Sequence, residues 1–312
     1  MNTKVLFHLG MHKTATTSLQ KDFFIRENCF FQNPNGRDFC LPIFVNKFST
    51  EKINSYDRFI LDEFTKSAHK LKYIPVISHE RLSGYPISGG YDRFSIYNRI
   101  ASLDLNAKIL IVIREQKSWL YSAWRQMVND GASISLQDFI TEKPIFNNSR
   151  MPAPRFEYLN YDQEIDTLNS LFGKDNVLMF PLELIMSDFK LFIKKLTKLL
   201  NETININIET LSHKNEASTL SSLYLKLLIN RLVISYPKSN SRQFSNQILF
   251  STFLYKLSNK IANGLPEIPF SKNIIKRHKK VISKEVGNYF KNSNKNCEKK
   301  INFNLTKLGY DT

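Results

Sequence analysis

The sequence predicts an α/β fold in three layers: a central, mostly parallel sheet flanked by helices, followed by a helical, basic C-terminal extension. Three observations carry this. Four short apolar runs, rich in β-branched residues, recur before residue 182. They are nearly continuous in apolarity, as strands covered on both faces require. Helical patterns separate them, and strands alternating with helices imply parallel pairing.

The first run, "KVLFHL" (4–9), ends at Gly10 and reads as a buried strand. "TTSLQKDFFIR" (16–26) follows, with Leu19, Phe23 and Phe24 at helical spacing behind Thr and Ser residues suited to capping. "YIPVISHE" ends at Glu80, "KILIVIR" at Arg114, and "NVLMFP" covers 176–181. "SWLYSAWRQMV" and "FKLFIKKLTKLL" (189–200) are helical. Residues 81–107 read as loop plus helix, with "SGYPISGG" rich in turn formers. Residues 141–157, with Pro144, Pro152 and Pro154, read as an exposed connection or lid. The expected organisation is a single domain over 1–312, with an α/β core in 1–204 and a mainly helical part in 205–312. From Ser271 to Lys300 the acids number two, Glu285 and Glu298, against many Lys and Arg.

An apolar fraction of 42% with 24 Phe excludes a disordered chain. The formal charge of +16 fits either a Lys-rich solvated surface or an anionic partner. Cys29, Cys40 and Cys297 form no CxxC pair and have no His at metal-ligand spacing, so no metal is expected. No run approaches the length of a membrane span, and the first residues read as a strand rather than a leader, so a cytoplasmic protein is expected.

In parallel α/β sheets, ligands bind beyond the carboxyl ends of the strands. The loop "HLGMHKTATTSLQ" (8–20), Glu80 and Arg114 all fall there. A nucleotide-triphosphate loop of the form GxxxxGK[ST] needs a Gly directly before its Lys. Gly10 is followed by Met11, His12 and Lys13, so that pattern fails. The physics of anion binding remains: backbone amides at a turn, the charge of Lys13, and the hydroxyls of Thr16, Thr17 and Ser18.

"HKTATTSLQ" resembles the 5′-phosphosulfate loop of sulfotransferases that use 3′-phosphoadenosine 5′-phosphosulfate (PAPS). Lys13, Thr14, Thr16, Thr17, Ser18 and Leu19 match, His12 takes the position before the Lys, and Ala15 stands where a Gly is usual. Ala15 matters if that position needs a positive φ. A second signature of the family, an Arg at a strand end and a Ser eight residues on, is similar to Arg114 and Ser122 in "VIREQKSWLYS". The resemblance implies that these two hold the nucleotide's 3′-phosphate, Arg114 in fork geometry. Weaker likenesses lie in "NVLMFPLELI", in "HKNEAST" (213–219) and in the closing segment, which is similar to that of bacterial carbohydrate sulfotransferases.

The resemblance implies a P-loop-like fold, PAPS as sulfuryl donor with no metal, and an acceptor hydroxyl or amine on a carbohydrate or glycolipid, one that is acidic in keeping with the charge. Lys13 would stabilise the leaving phosphate. The base would be Glu80, with the adjacent His79 as the alternative and His12 as a third candidate. A basic C-terminal region could also touch a membrane peripherally. Two rival readings stay open: a small-molecule kinase with a degenerate P-loop, and a basic nucleic-acid- or partner-binding protein without catalysis. The second leaves the combination of Lys13, Arg114 and Ser122 without a use, and no nucleic-acid motif supports it.

Overall fold

The computed structural model describes residues 4–32, 39–46, 52–86, 89–103, 105–141, 156–205, 218–233, 260–261 and 264–312. Five parallel strands form one sheet: β1 (Lys4–His8), β2 (Phe30–Gln32), β3 (Ile74–Ser78), β4 (Asn106–Ile113) and β5 (Val177–Pro181). Their order is β2-β3-β1-β4-β5. The chain leaves β1 toward β2 and leaves β4 toward β5, so the direction of winding reverses between β1 and β4. That reversal opens a crevice at the carboxyl ends of the two strands.

The expected α/β architecture is therefore observed, with the four expected strands in place. All five residues of β3 are buried, and so are the last five of β4, because helices cover both faces. Alternate side chains serve the two faces. On one, Leu6, Val76, Leu110, Val112 and Phe180 pack against Phe23, Phe24, Phe30 and the amphipathic helix α8 (Phe189–Leu200). Phe23 sits within 5.2–5.6 Å, ring to ring, of Phe24, Phe30, Phe189 and Phe192. On the other face, Phe7 meets Phe44 edge-on at 5.9 Å. Met179 there meets Cys297 of α11 (Lys291–Ile301) across 3.7 Å.

Two local expectations are corrected. The helix read over 16–26 is shorter: α1 (Thr16–Ser18) passes into a π-turn at Leu19–Phe23. The Ile25 N–H then bonds the Phe23 carbonyl, and the Asn28 amide bonds that same oxygen at 3.1 Å. This local competition for a carbonyl ends the helix before Arg26. The strand read through Glu80 stops at Ser78. His79 stays extended, with its N–H on the His8 carbonyl, and Glu80 opens a 3₁₀ turn over Glu80–Ser83. Short β2 and the long helix α2 (Ser55–Lys70) join these elements. Next come α3 (Arg93–Ala101), α6 (Tyr161–Phe172) and α7 (Leu182–Ser187).

Backbone contacts divide the chain into two compact units. One comprises Met1–Glu115, Arg155–Lys214 and Asn288–Thr312 and holds the whole sheet. The other, Gln116–Pro154 with Asn215–Gly287, is built from α4 (Gln116–Asn129), α5 (Leu136–Ile140), α9 (Leu220–Val233) and α10 (Ser271–Val286). In it, the Asn230 amide donates to the carbonyls of Val128 and Ala132, tying α9 to the end of α4. His278 of α10 is bracketed by the hydroxyls of Tyr121 (3.2 Å) and Tyr224 (3.1 Å). Most of the expected lid, 142–155, and residues 213–217 of the "HKNEAST" loop lie outside the described residues, as do residues 87–88 of the turn-rich stretch. Among the described residues no helix is long and apolar enough to cross a membrane.

Candidate active site

The loop after β1 stays paired with β4 for three residues before turning away. The N–H groups of Leu9 and Met11 bond the carbonyls of Leu110 and Val112, and the Gly10 carbonyl accepts from the Val112 N–H at 2.6 Å. Gly10 has φ 98°. A Cβ there would lie 2.9 Å from the Cα of Glu80, so glycine is what lets the two loops touch. Beyond it, Lys13 (φ 63°) and Ala15 (φ 59°) both adopt left-handed backbone. The chain coils tightly enough for the Thr14 and Thr16 hydroxyls to donate to the same carbonyl, that of Met11, at 2.6 and 3.1 Å. Leu19 N–H on the Ala15 carbonyl then starts α1.

The Thr16 hydroxyl, read from sequence as an anion donor, and that of Thr14, a position that matches the family's loop, thus brace the loop from within. Ser18 is buried and Thr17 is half-buried. Ala15 occupies the conformation in which the substitution of Ala for Gly carries a cost, since its Cβ crowds the following carbonyl.

Arg114 follows the last residue of β4. Its Nη1 donates to the carbonyl of Lys13 at 3.2 Å, which brings two residues 101 positions apart to one place. The Tyr161 hydroxyl donates to the Arg114 carbonyl at 2.6 Å. The next peptide is held too: Glu183 accepts from the Glu115 N–H and from the Tyr310 hydroxyl, both at 2.9 Å. Nothing in the spacing of the sequence marks Tyr161 as a support for Arg114. Glu183, by contrast, falls in the "NVLMFPLELI" stretch that carried a family likeness.

Glu80 stands at the end of β3, its side chain about half exposed, with the His12 ring 3.8 Å away. Burial above all, and then the neighbouring Arg81, His79 and Lys13, lower the His12 pKa to about 3. His12 is therefore neutral at pH 7, and the approach is a polar contact rather than an ion pair. His79 caps the 3₁₀ turn: its Nδ1 accepts from the Arg81 N–H at 3.1 Å. In the neutral ring the proton then sits on Nε2. The neighbouring arginines engage other acids, Arg81 with Asp92 at 2.8 Å and Arg93 with buried Glu164.

The structure therefore gathers His12, Lys13, Arg114, His79 and Glu80 around the carboxyl ends of β1, β3 and β4. Ser122 is half-buried on α4, in the second unit. Two permanent cations beside a coiled loop suit an anionic group, and the nearby carboxylate suits proton removal. Among the described residues no group of three or more His, Cys, Asp or Glu could hold a metal ion.

No family model matches the sequence, and no curated protein matches it. Among solved structures, the chain is similar to the crystal structure of a sulfotransferase from Alicyclobacillus acidocaldarius. The two share 14% identity over 97% of each chain, with a TM-score of 0.48.

Proposed function

We propose that this chain is a sulfotransferase that moves the sulfuryl group of PAPS to an acceptor hydroxyl or amine on a carbohydrate or glycolipid. The observation that carries the reading is the contact of Arg114 with the Lys13 loop. Arg114 of the second resembling motif and the loop that carries the first are neighbours in space.

Sulfuryl transfer is an in-line displacement. A bond forms from the acceptor atom to sulfur as the bond from sulfur to the 5′-phosphate oxygen breaks, and adenosine 3′,5′-bisphosphate leaves with added negative charge. Lys13 answers that charge, and positioning does most of the remaining work, as in phosphoryl transfer. The sulfuryl group carries less charge than a phosphoryl group, so the reading calls for no metal. Arg114, with donors beyond the one on the Lys13 carbonyl, serves the 3′-phosphate. Ser122 keeps there the role that the resemblance implies.

Glu80 takes the acceptor's proton. Its support over His79 is the hydrogen bond that commits the His79 Nδ1 to the backbone and leaves the proton on Nε2. An acidic glycan fits the +16 charge of the chain. A glycolipid acceptor would bring the protein to a membrane surface.

The test is incubation with PAPS and a panel of glycans and glycolipids, read by mass spectrometry for gain of one sulfuryl group. Glu80→Gln is expected to abolish transfer while retaining nucleotide binding, and His79→Ala to retain transfer. The opposite pattern would move the base to His79.

A further inference from the structure

The second unit ends in a surface that the transfer chemistry does not use. Helix α10 carries six cations, Lys272, Lys276, Arg277, Lys279, Lys280 and Lys284, and every one is exposed. At 3.6 residues per turn they fall within roughly 160° of the helix circumference. Ile274, Ile275, His278, Val281, Ile282 and Val286 fill the rest, half-buried or buried. The helix has one acid, Glu285, and it lies on that inner side rather than in the cationic row. The inner side packs against α4 and α5 of the same unit.

The segment leading into this helix is as unusual as its face. Phe270 precedes the first turn with a left-handed backbone (φ 61°), and its side chain is 79% exposed. Its carbonyl accepts the N–H groups of Asn273 and Ile274, so the turn is fixed by the helix it begins. Pro266 and Pro269, just before it, are exposed as well. An aromatic ring is thus held in solvent, in a strained conformation, at the end of a row of cations.

We infer that the outer face of α10, with Phe270, docks on a membrane surface containing anionic phospholipid. The complementarity is twofold. Clustered Lys and Arg are drawn to the negative potential of such a leaflet. A protruding Phe beside them enters the boundary between headgroups and acyl chains, as the apolar side of an interfacial segment does. The inner half of α10 is packed within its unit, so its outer half is left as a broad cationic face. The exposed Phe270 beside that face finds an apolar seat in a bilayer and none on the phosphate backbone of a duplex. This inference deepens the glycolipid reading of the acceptor, and it is tested without any sulfuryl donor.

The experiment is co-sedimentation of the full chain with vesicles of phosphatidylcholine alone and of phosphatidylcholine with phosphatidylglycerol, at low and at physiological salt. Expected is binding to the anionic vesicles only, weakened by salt. The triple variant K276E/K279E/K280E should weaken it by roughly tenfold or more, and Phe270→Ser should weaken it severalfold while the response to salt persists. Circular dichroism confirms that both variants fold. Should the first triple unfold, the remaining three exposed cations supply a second, Lys272→Glu with Arg277→Glu and Lys284→Glu. Equal binding to neutral vesicles, binding indifferent to both triples, or loss of random-duplex DNA binding in the triples with vesicle binding intact would each overturn the inference. Absence of transfer activity, by contrast, would bear on the sulfotransferase reading alone.

Discussion

The guanidinium of Arg114 donates to the carbonyl of Lys13 at 3.2 Å, tying the end of β4 to the loop after β1. The bond gives Arg114 two tasks, bracing the loop and, in the proposed function, gripping a phosphate. Arg114→Ala should therefore weaken binding of adenosine 3′,5′-bisphosphate by about 10- to 100-fold, the worth of one charged hydrogen bond or slightly more. It should also lower stability by about 1 kcal/mol. Arg114→Lys keeps the charge but lacks the fork, and should recover only part of the affinity. Calorimetry with parallel urea titrations separates the two effects.

Ala15 at φ 59° pays for a left-handed backbone that glycine adopts readily. Relief of that strain, about 1–2 kcal/mol, is partly offset by the greater freedom of glycine in the unfolded chain. Ala15→Gly should raise stability by up to about 1 kcal/mol and leave nucleotide binding intact. Ala15→Val, with a β-branched side chain at the same φ, should lower stability. Urea midpoints read both changes.

Gly10 behaves in the opposite way. A Cβ there would meet the Glu80 backbone at 2.9 Å, and φ is 98°. Gly10→Ala should cost about 1–3 kcal/mol in strain. Because the atom displaced belongs to the proposed base, transfer should fall further than nucleotide affinity does. An equal loss of both would mean that the contact only packs the two loops.

His8 supplies a pH test of the core under the site. It is fully buried; Gln20 donates to the Ser78 hydroxyl at 3.0 Å, which in turn bonds the His8 Nδ1 at 2.7 Å. Burial lowers its pKa from 6.5 to about 3. Between those values the unfolded chain binds a proton that the folded chain does not, so stability falls as the solution is acidified. The slope from this one group approaches about 1.4 kcal/mol per pH unit. His8→Gln should show a shallower decline in urea midpoint than the parent between pH 6 and 4 (roughly the span set by the two values). Parallel declines would show that His8 is protonated in the fold.

Much of the architecture was legible because its signals are local. "KILIVIR" shows its continuous apolarity and "FKLFIKKLTKLL" its helical period without help, and α8 spans the twelve residues expected of it, Phe189–Leu200. What the sequence hid depends on partners far along the chain. The helix after Thr16 stops early because Ile25 and Asn28 claim the Phe23 carbonyl. Thr14 and Thr16 look like ligands in the string, yet the left-handed turns at Lys13 and Ala15 point their hydroxyls back to Met11. The support of Arg114 by Tyr161, 47 residues on, leaves no trace in spacing at all. The hydrogen bond that the Arg81 N–H donates to the His79 Nδ1 is likewise invisible in the string.

In the proposed function, the Lys13 loop and Arg114 together form a site for a nucleotide with phosphates at both the 3′ and 5′ positions. Calorimetric titration with adenosine 3′,5′-bisphosphate, against ADP with magnesium as the control, tests it most directly. Expected are saturable binding of the bisphosphate, weakened in Lys13→Ala and in Arg114→Ala, and no comparable binding of ADP. Binding of neither nucleotide, or a clear preference for ADP with magnesium, would contradict it.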